Sequence, residues 1–175
     1  MDTSTIIITA IMLAMFILPV ILTGRSYKKK TKKLYQTLNQ TIEQQGYTLS
    51  LYEICDNFFI GIDENANTLF FYKHYDKNEK FKVIKLSDIS GCQLINKTKN
   101  VNTKHQQYSS IELLELALNS VDKNRPDTLL EFYNTEYDNL NMTEELKIAE
   151  KWKKLINDKI IKPDKFTALK GKKIV

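Results

Sequence analysis

The sequence predicts an α+β protein with three parts: an N-terminal transmembrane helix, a juxtamembrane helix, and an antiparallel β-barrel or sandwich closed by a C-terminal amphipathic helix. Three observations carry this reading. No charged side chain occurs from Thr3 to Gly24. After Gly46 the four-residue apolar spacing gives way to short aromatic and β-branched runs separated by polar turns. From Leu146 to Ile160 the helical period returns.

The first segment, residues 5–24, is almost wholly Ile, Leu, Met, Ala and Val between Ile6 and Leu22. About 20 helical residues at ~1.5 Å each cross a hydrocarbon core of about 30 Å. Arg25, Lys28, Lys29, Lys30, Lys32 and Lys33 follow without an intervening acid, whereas Asp2 is the only charged side chain before the apolar run. The positive-inside bias therefore puts residues 1–4 outside and the domain after the span in the cytoplasm, a single-pass protein of the plasma (inner) membrane. A cleaved signal peptide needs a basic region before the apolar stretch and small residues at a cleavage site, and neither is present. Pro19 stands near the inner end of the segment, where lipid-embedded helices tolerate a kink.

Residues 25–46 read as a basic juxtamembrane helix. Leu34, Leu38 and Ile42 recur every four positions and Gly46 is placed as its stop. The narrow stripe fits docking on the following domain better than a coiled coil, which needs more heptads. Residues 47–161 then form one domain. Tyr47 to Cys55 and Phe58-Phe-Ile-Gly-Ile62 are strands, the polar turn Asp63-Glu-Asn-Ala-Asn67 leads into Thr68-Leu-Phe-Phe-Tyr-Lys73, and together they signal a hairpin. A second unit repeats the pattern with Phe81 to Lys85, a tight Leu86-Ser-Asp-Ile89 and Ser90 to Ile95. Asn96 to Gln107 is polar, rich in Lys, Asn and Thr, and reads as a flexible loop.

Ile111 to Leu118 has helix-forming residues but strand length and strand neighbours, and is assigned as a strand. The turn Asn124-Arg-Pro-Asp127 precedes another strand at Thr128 to Tyr133, which brings the total to about six or seven. Asn141 and Glu144 form a capping pair, after which Leu146, Ala149, Trp152, Leu155, Ile156 and Ile160 share one helix face. Trp152, the only tryptophan, is a core anchor on that face rather than a ligand-stacking ring. Pro163 ends the helix, and residues 162–175 form a basic flexible tail.

A formal charge of +5 invites a nucleic-acid reading. Its distribution argues against one. The basic residues crowd residues 25–33 and 162–175, so that 34–161 are net acidic, with no basic stripe interleaved with aromatics. A polybasic segment beside a membrane is instead attracted to anionic headgroups, by about 1 kcal/mol per residue. This makes Arg25, Lys28, Lys29, Lys30, Lys32 and Lys33 candidate headgroup ligands.

Chemistry-bearing motifs are sparse. Cys55 and Cys92 stand alone and read as reduced core residues, and His74 and His105 lie far from any second His at metal spacing. The isolated glycines make no phosphate-cradling loop. Asp63 and Glu64 read as a turn rather than an acid/base pair, and Glu112 and Glu115 fall on opposite faces of a strand. No cofactor, metal or catalytic residue is therefore expected. The sequence leaves the partner and the oligomeric state open.

Phe59-Ile-Gly-Ile-Asp63, Leu69-Phe-Phe-Tyr72, Ile84-Lys-Leu-Ser-Asp-Ile89, Glu131-Phe-Tyr133 and the Trp152 helix, in that order, resemble bacterial membrane-anchored proteins with a pleckstrin-homology-like domain. The resemblance implies a scaffold that binds a protein, peptide or lipid headgroup at a barrel mouth or sheet edge, an adaptor in a membrane complex. The chain departs from headgroup-binding members at Asp63 to Asn67, which is acidic where they carry Lys and Arg. A tethered enzyme or enzyme regulator is the alternative, and a lipid sensor acting through Arg25 to Lys33 is a third.

Overall fold

The computed structural model describes Met12 and residues 29–55, 57–75, 78–103, 106–138, 142 and 144–160. They belong to two compact units, residues 1–47 and 48–175. Among the described residues no helix is long and apolar enough to cross a membrane. The expected span, residues 5–24, lies outside them except for Met12, as do Arg25, Lys28 and the tail 162–175.

In the first unit, residues 29–44 form helix α1. It stops at Gly46 for a stereochemical reason. Gly46 has φ +82°, its N–H bonds to the Glu43 carbonyl at 2.9 Å, and the Tyr47 N–H bonds to the Ile42 carbonyl at 3.2 Å. These two bonds close a Schellman motif, which a left-handed glycine forms without a Cβ penalty.

The second unit contains seven strands in the described residues. They are β1 (Leu51–Cys55), β2 (Phe58–Asp63), β3 (Thr68–Tyr75), β4 (Asn78–Lys85), β5 (Ile89–Thr103), β6 (Gln106–Ser120) and β7 (Thr128–Asn134). Helix α2 (Glu145–Lys159) follows. The strands make two antiparallel sheets, β1-β2-β3-β4 and β5-β6-β7. The expected closure into a barrel does not occur. A 3₁₀ turn at Leu86–Asp88 separates β4 from β5, which are not hydrogen-bonded to each other. Each sheet therefore keeps two edges.

Alternation builds the core. Phe58, Ile60 and Ile62 of β2 and Leu69 and Phe71 of β3 meet Leu114, Leu116 and Leu118 of β6 and Leu130 and Phe132 of β7. Ala149, Trp152 and Ile156 of α2 complete it at the helical spacing anticipated for that face. Ile111 to Leu118 is a strand, although its residues favour helix, because β6 is the central strand of its sheet and bonds on both sides.

Three local expectations are corrected. The loop anticipated at Asn96 to Gln107 is largely strand, since β5 runs to Thr103 and β6 starts at Gln106, paired from Ile89↔Ser120 to Thr103↔Gln106. A two-stranded ribbon needs only its backbone ladder, so polar residues hide it from a search for apolar alternation. The cap of α2 is Glu144 itself, expected as the partner of a capping residue at Asn141. Glu144 occupies the cap position with a helical backbone and no capping bond, its carboxylate accepts from Lys147 at 3.1 Å, and Asn141 lies outside the described residues. The first strand starts at Leu51 rather than Tyr47.

Asp63 and Glu64 act in turn geometry. The Asp63 carboxylate is buried and accepts the N–H groups of Thr48 at 2.8 Å and Ala66 at 2.9 Å, which hold its pKa below the ordinary carboxylate value. Cys55 and Cys92 are free and buried, and burial raises the Cys92 thiol to about 12. A thiol so placed is protonated and shielded at neutral pH. Cys92 is expected to resist a thiol-specific disulfide reagent in the native protein and to react once unfolded, and rapid native labelling would contradict this placement.

Candidate interaction groove between strands β4 and β7

The two outer strands β4 and β7 bond to a sheet neighbour on one side only. Beside them lie two adjoining depressions of about 400 and 540 Å³, which share Val83, Ile84, Pro126 and Thr128. Val83 and Leu129 line this groove and are 41% and 42% exposed, so two large apolar side chains meet solvent there. Alternation explains them. The core-facing residue of β7 next to Leu129 is Leu130, which is fully buried, so Leu129 points the other way.

Charged groups, among them Lys82, Lys85, Asp88, Arg125 and Asp127, share the lining with these apolar side chains. The Lys82 ammonium donates to the Leu129 carbonyl at 2.6 Å and thereby links the two strands. Burial, with help from Lys80, lowers the Lys82 pKa, while Glu115 and Glu131 oppose that shift. Glu115 and Glu131 are register partners on β6 and β7. Burial, then the Glu131 charge, raises the Glu115 pKa against the pull of Lys97 and Lys82. The Tyr137 hydroxyl donates to the Glu131 carboxylate at 2.5 Å, and Tyr75 packs edge-on against Tyr137 at 5.3 Å.

Glu115 gives a pH prediction. Its folded pKa lies above its unfolded value, so its contribution to stability is fully present below the unfolded pKa and is lost as pH rises through the folded one. Glu115→Gln, fixed in a neutral form, is expected to match the wild type near pH 4 and to exceed it at pH 7. The gain is a few tenths to about 1 kcal/mol, kept small because the side chain is only half-buried. Parallel denaturation curves at the two pH values measure it, and a variant less stable at pH 7 would refute the assignment.

The residues singled out from sequence lie elsewhere. Lys29, Lys30, Lys32 and Lys33 are all exposed on α1, in the first unit. Trp152 is fully buried, and its indole N–H donates to the Glu53 carboxylate at 2.6 Å. His74 is exposed and 3.5 Å from Glu79, and His105 lies outside the described residues. Among the described residues no group of three or more His, Cys, Asp and Glu side chains is placed to hold a metal ion.

Sequence reading missed Val83, Leu129 and the Glu115–Glu131 pair. The available signal was the Lys-x-Lys-x-x-Lys run of β4, Lys80, Lys82 and Lys85, which marks an exposed edge strand. No family model, curated protein or solved structure matches the chain.

Proposed function

We propose that this chain is a single-pass membrane protein whose cytoplasmic domain, residues 47–161, is a pleckstrin-homology-like module acting as an adaptor in a membrane complex. The observation that carries the reading is the uncharged run Thr3 to Gly24 followed by six cations in residues 25–33, the pattern of a span with a cytoplasmic stop. The strand order, four then three, with a C-terminal helix packed on the second sheet, supports the module. The exposed Val83 and Leu129 beside two sheet edges support binding rather than catalysis as its work.

The test is affinity purification of the full-length protein from gently solubilised native membranes, beside a Trp152→Ala form with a disrupted domain. A reproducible partner present with the wild type and lost with the variant is the expected result. Recovery of the bait alone, or of the same partner with both forms, would overturn the adaptor reading. Resistance of the protein to alkaline extraction from membranes checks the anchor separately.

A second reading rests on the exposure of Lys29, Lys30, Lys32 and Lys33 along α1. These lysines, with Arg25 and Lys28, would bind anionic headgroups by charge. Binding to anionic vesicles of a form lacking residues 1–24 should fall with added salt and with Lys-to-Gln exchange. Salt-insensitive binding would count against it.

A further inference from the structure

We infer that the outer edge of β4 accepts an extended, acidic segment of a partner protein as an added strand, seated by an apolar side chain between Val83 and Leu129. This deepens the adaptor reading and rests on it. The other three sheet edges each carry a contact of their own. On the β5 edge, the Asn157 side-chain amide accepts the Cys92 N–H at 2.9 Å and donates to the Cys92 carbonyl at 2.8 Å. A single side chain thus satisfies both backbone groups that an incoming strand would use at that residue. On β7, the Leu129 carbonyl is taken by Lys82. On β1, Glu53 is tied to α2 through Lys151 at 2.8 Å and Trp152 at 2.6 Å. Among the described residues, no side chain is hydrogen-bonded to the backbone of β4.

The groove, whose apolar members include Val83, Ile84 and Leu129, runs beside this open edge along Lys82, Val83, Ile84 and Lys85. Four strand residues span about 13 Å, enough for a short augmenting strand whose alternate side chains enter the groove. Charge selects the occupant. Lys80 and Lys85 are exposed and Lys82 is half-buried, and among the described residues none of the three is ion-paired to a carboxylate. Such an edge repels a second copy of itself, because antiparallel pairing would set lysine against lysine. An acidic strand meets Lys80, Lys82 and Lys85 along the edge, and the groove's own lining holds Lys82, Lys85 and Arg125 against Asp88 and Asp127.

The experiment selects a random linear dodecapeptide display library on the full-length protein in detergent micelles. Enriched peptides should combine Asp or Glu with an apolar residue in alternation. Binding should slow backbone amide exchange within residues 79–86. Lys80→Glu/Lys85→Glu, which alters two exposed side chains and should lower the melting temperature only slightly, through the lost Lys80 contact with the Tyr75 ring, is expected to weaken these peptides at least tenfold. Leu129→Asp should weaken them as well through the apolar seat. An enriched set without acidic bias, protection that maps elsewhere, equal binding by Lys80→Glu/Lys85→Glu, or no enrichment would overturn the inference. The adaptor reading is tested apart. A partner captured from membranes and retained by Lys80→Glu/Lys85→Glu would remove the groove as its site while leaving the adaptor in place.

Discussion

Lys73→Met is expected to destabilise the domain by about 3–5 kcal/mol, the cost of leaving a buried charge without its partner. The Lys73 side chain is fully buried, and its ammonium meets Asp138 at 2.7 Å, the Asn57 side-chain oxygen at 3.0 Å and the Phe132 carbonyl at 3.3 Å. Asp138, 5% exposed, also accepts the Asn134 N–H at 2.8 Å and the Asn57 side-chain amide. One ion pair therefore joins the β1–β2 turn and β3 to the end of β7 and the turn that follows it. Removing the lysine strands a carboxylate whose remaining bonds are to neutral groups. Asp138→Asn strands the ammonium in the same way.

The double variant Lys73→Met/Asp138→Asn contains neither charge, so its loss should be clearly smaller than the sum of the two single losses. Chemical denaturation of the four proteins gives the coupling. Additive losses would show that the pair does not act as a unit. The result matters for the groove, because the same turn carries Tyr137, whose hydroxyl bonds to Glu131.

Trp152→Ala carries the other large effect, about 3–5 kcal/mol for truncating a large aromatic side chain in a packed core. Trp152 is fully buried among residues of both sheets, and it donates to Glu53 of β1. Alanine would open a cavity under α2 and leave Glu53 with Lys151 alone of its two α2 donors. Small domains have only about 5–15 kcal/mol in total, so this variant is expected to populate the unfolded state substantially. Trp152→Phe separates the two contributions. It keeps most of the apolar contact and removes the donor, and should cost about 1–3 kcal/mol. Circular dichroism is the suitable probe, since both variants lack the only tryptophan. Equal losses for Phe and Ala would assign the whole effect to the hydrogen bond, and no loss for Phe would assign it to packing.

Most secondary structure was legible because the apolar positions carry it. Leu69 and Phe71, and Ala149, Trp152 and Ile156, announce strand or helix by spacing, whereas Leu114 to Leu118 read as strand only from the bounded length and the neighbouring strands. The ribbon beyond Asn96 was not legible, because a backbone ladder between polar residues leaves no mark in side-chain hydropathy. Buried Lys73 was not legible either. A lysine in a strand reads as solvated until Asp138, 65 residues later, is brought beside it.

By itself the sequence determined the uncharged segment with its basic flank, the order of the strands, the stop of α1 at Gly46 and the apolar face that places Trp152 in the core. Each depends on residues within a turn or two of one another, where backbone geometry and periodicity act. Only the tertiary structure decided that the sheets stay open rather than close into a barrel, that Asn157 satisfies the Cys92 backbone on the β5 edge, and that Val83 and Leu129 share one groove. Those features join residues dozens of positions apart, and their energies arise from burial and charge pairing that exist only once the two sheets have met.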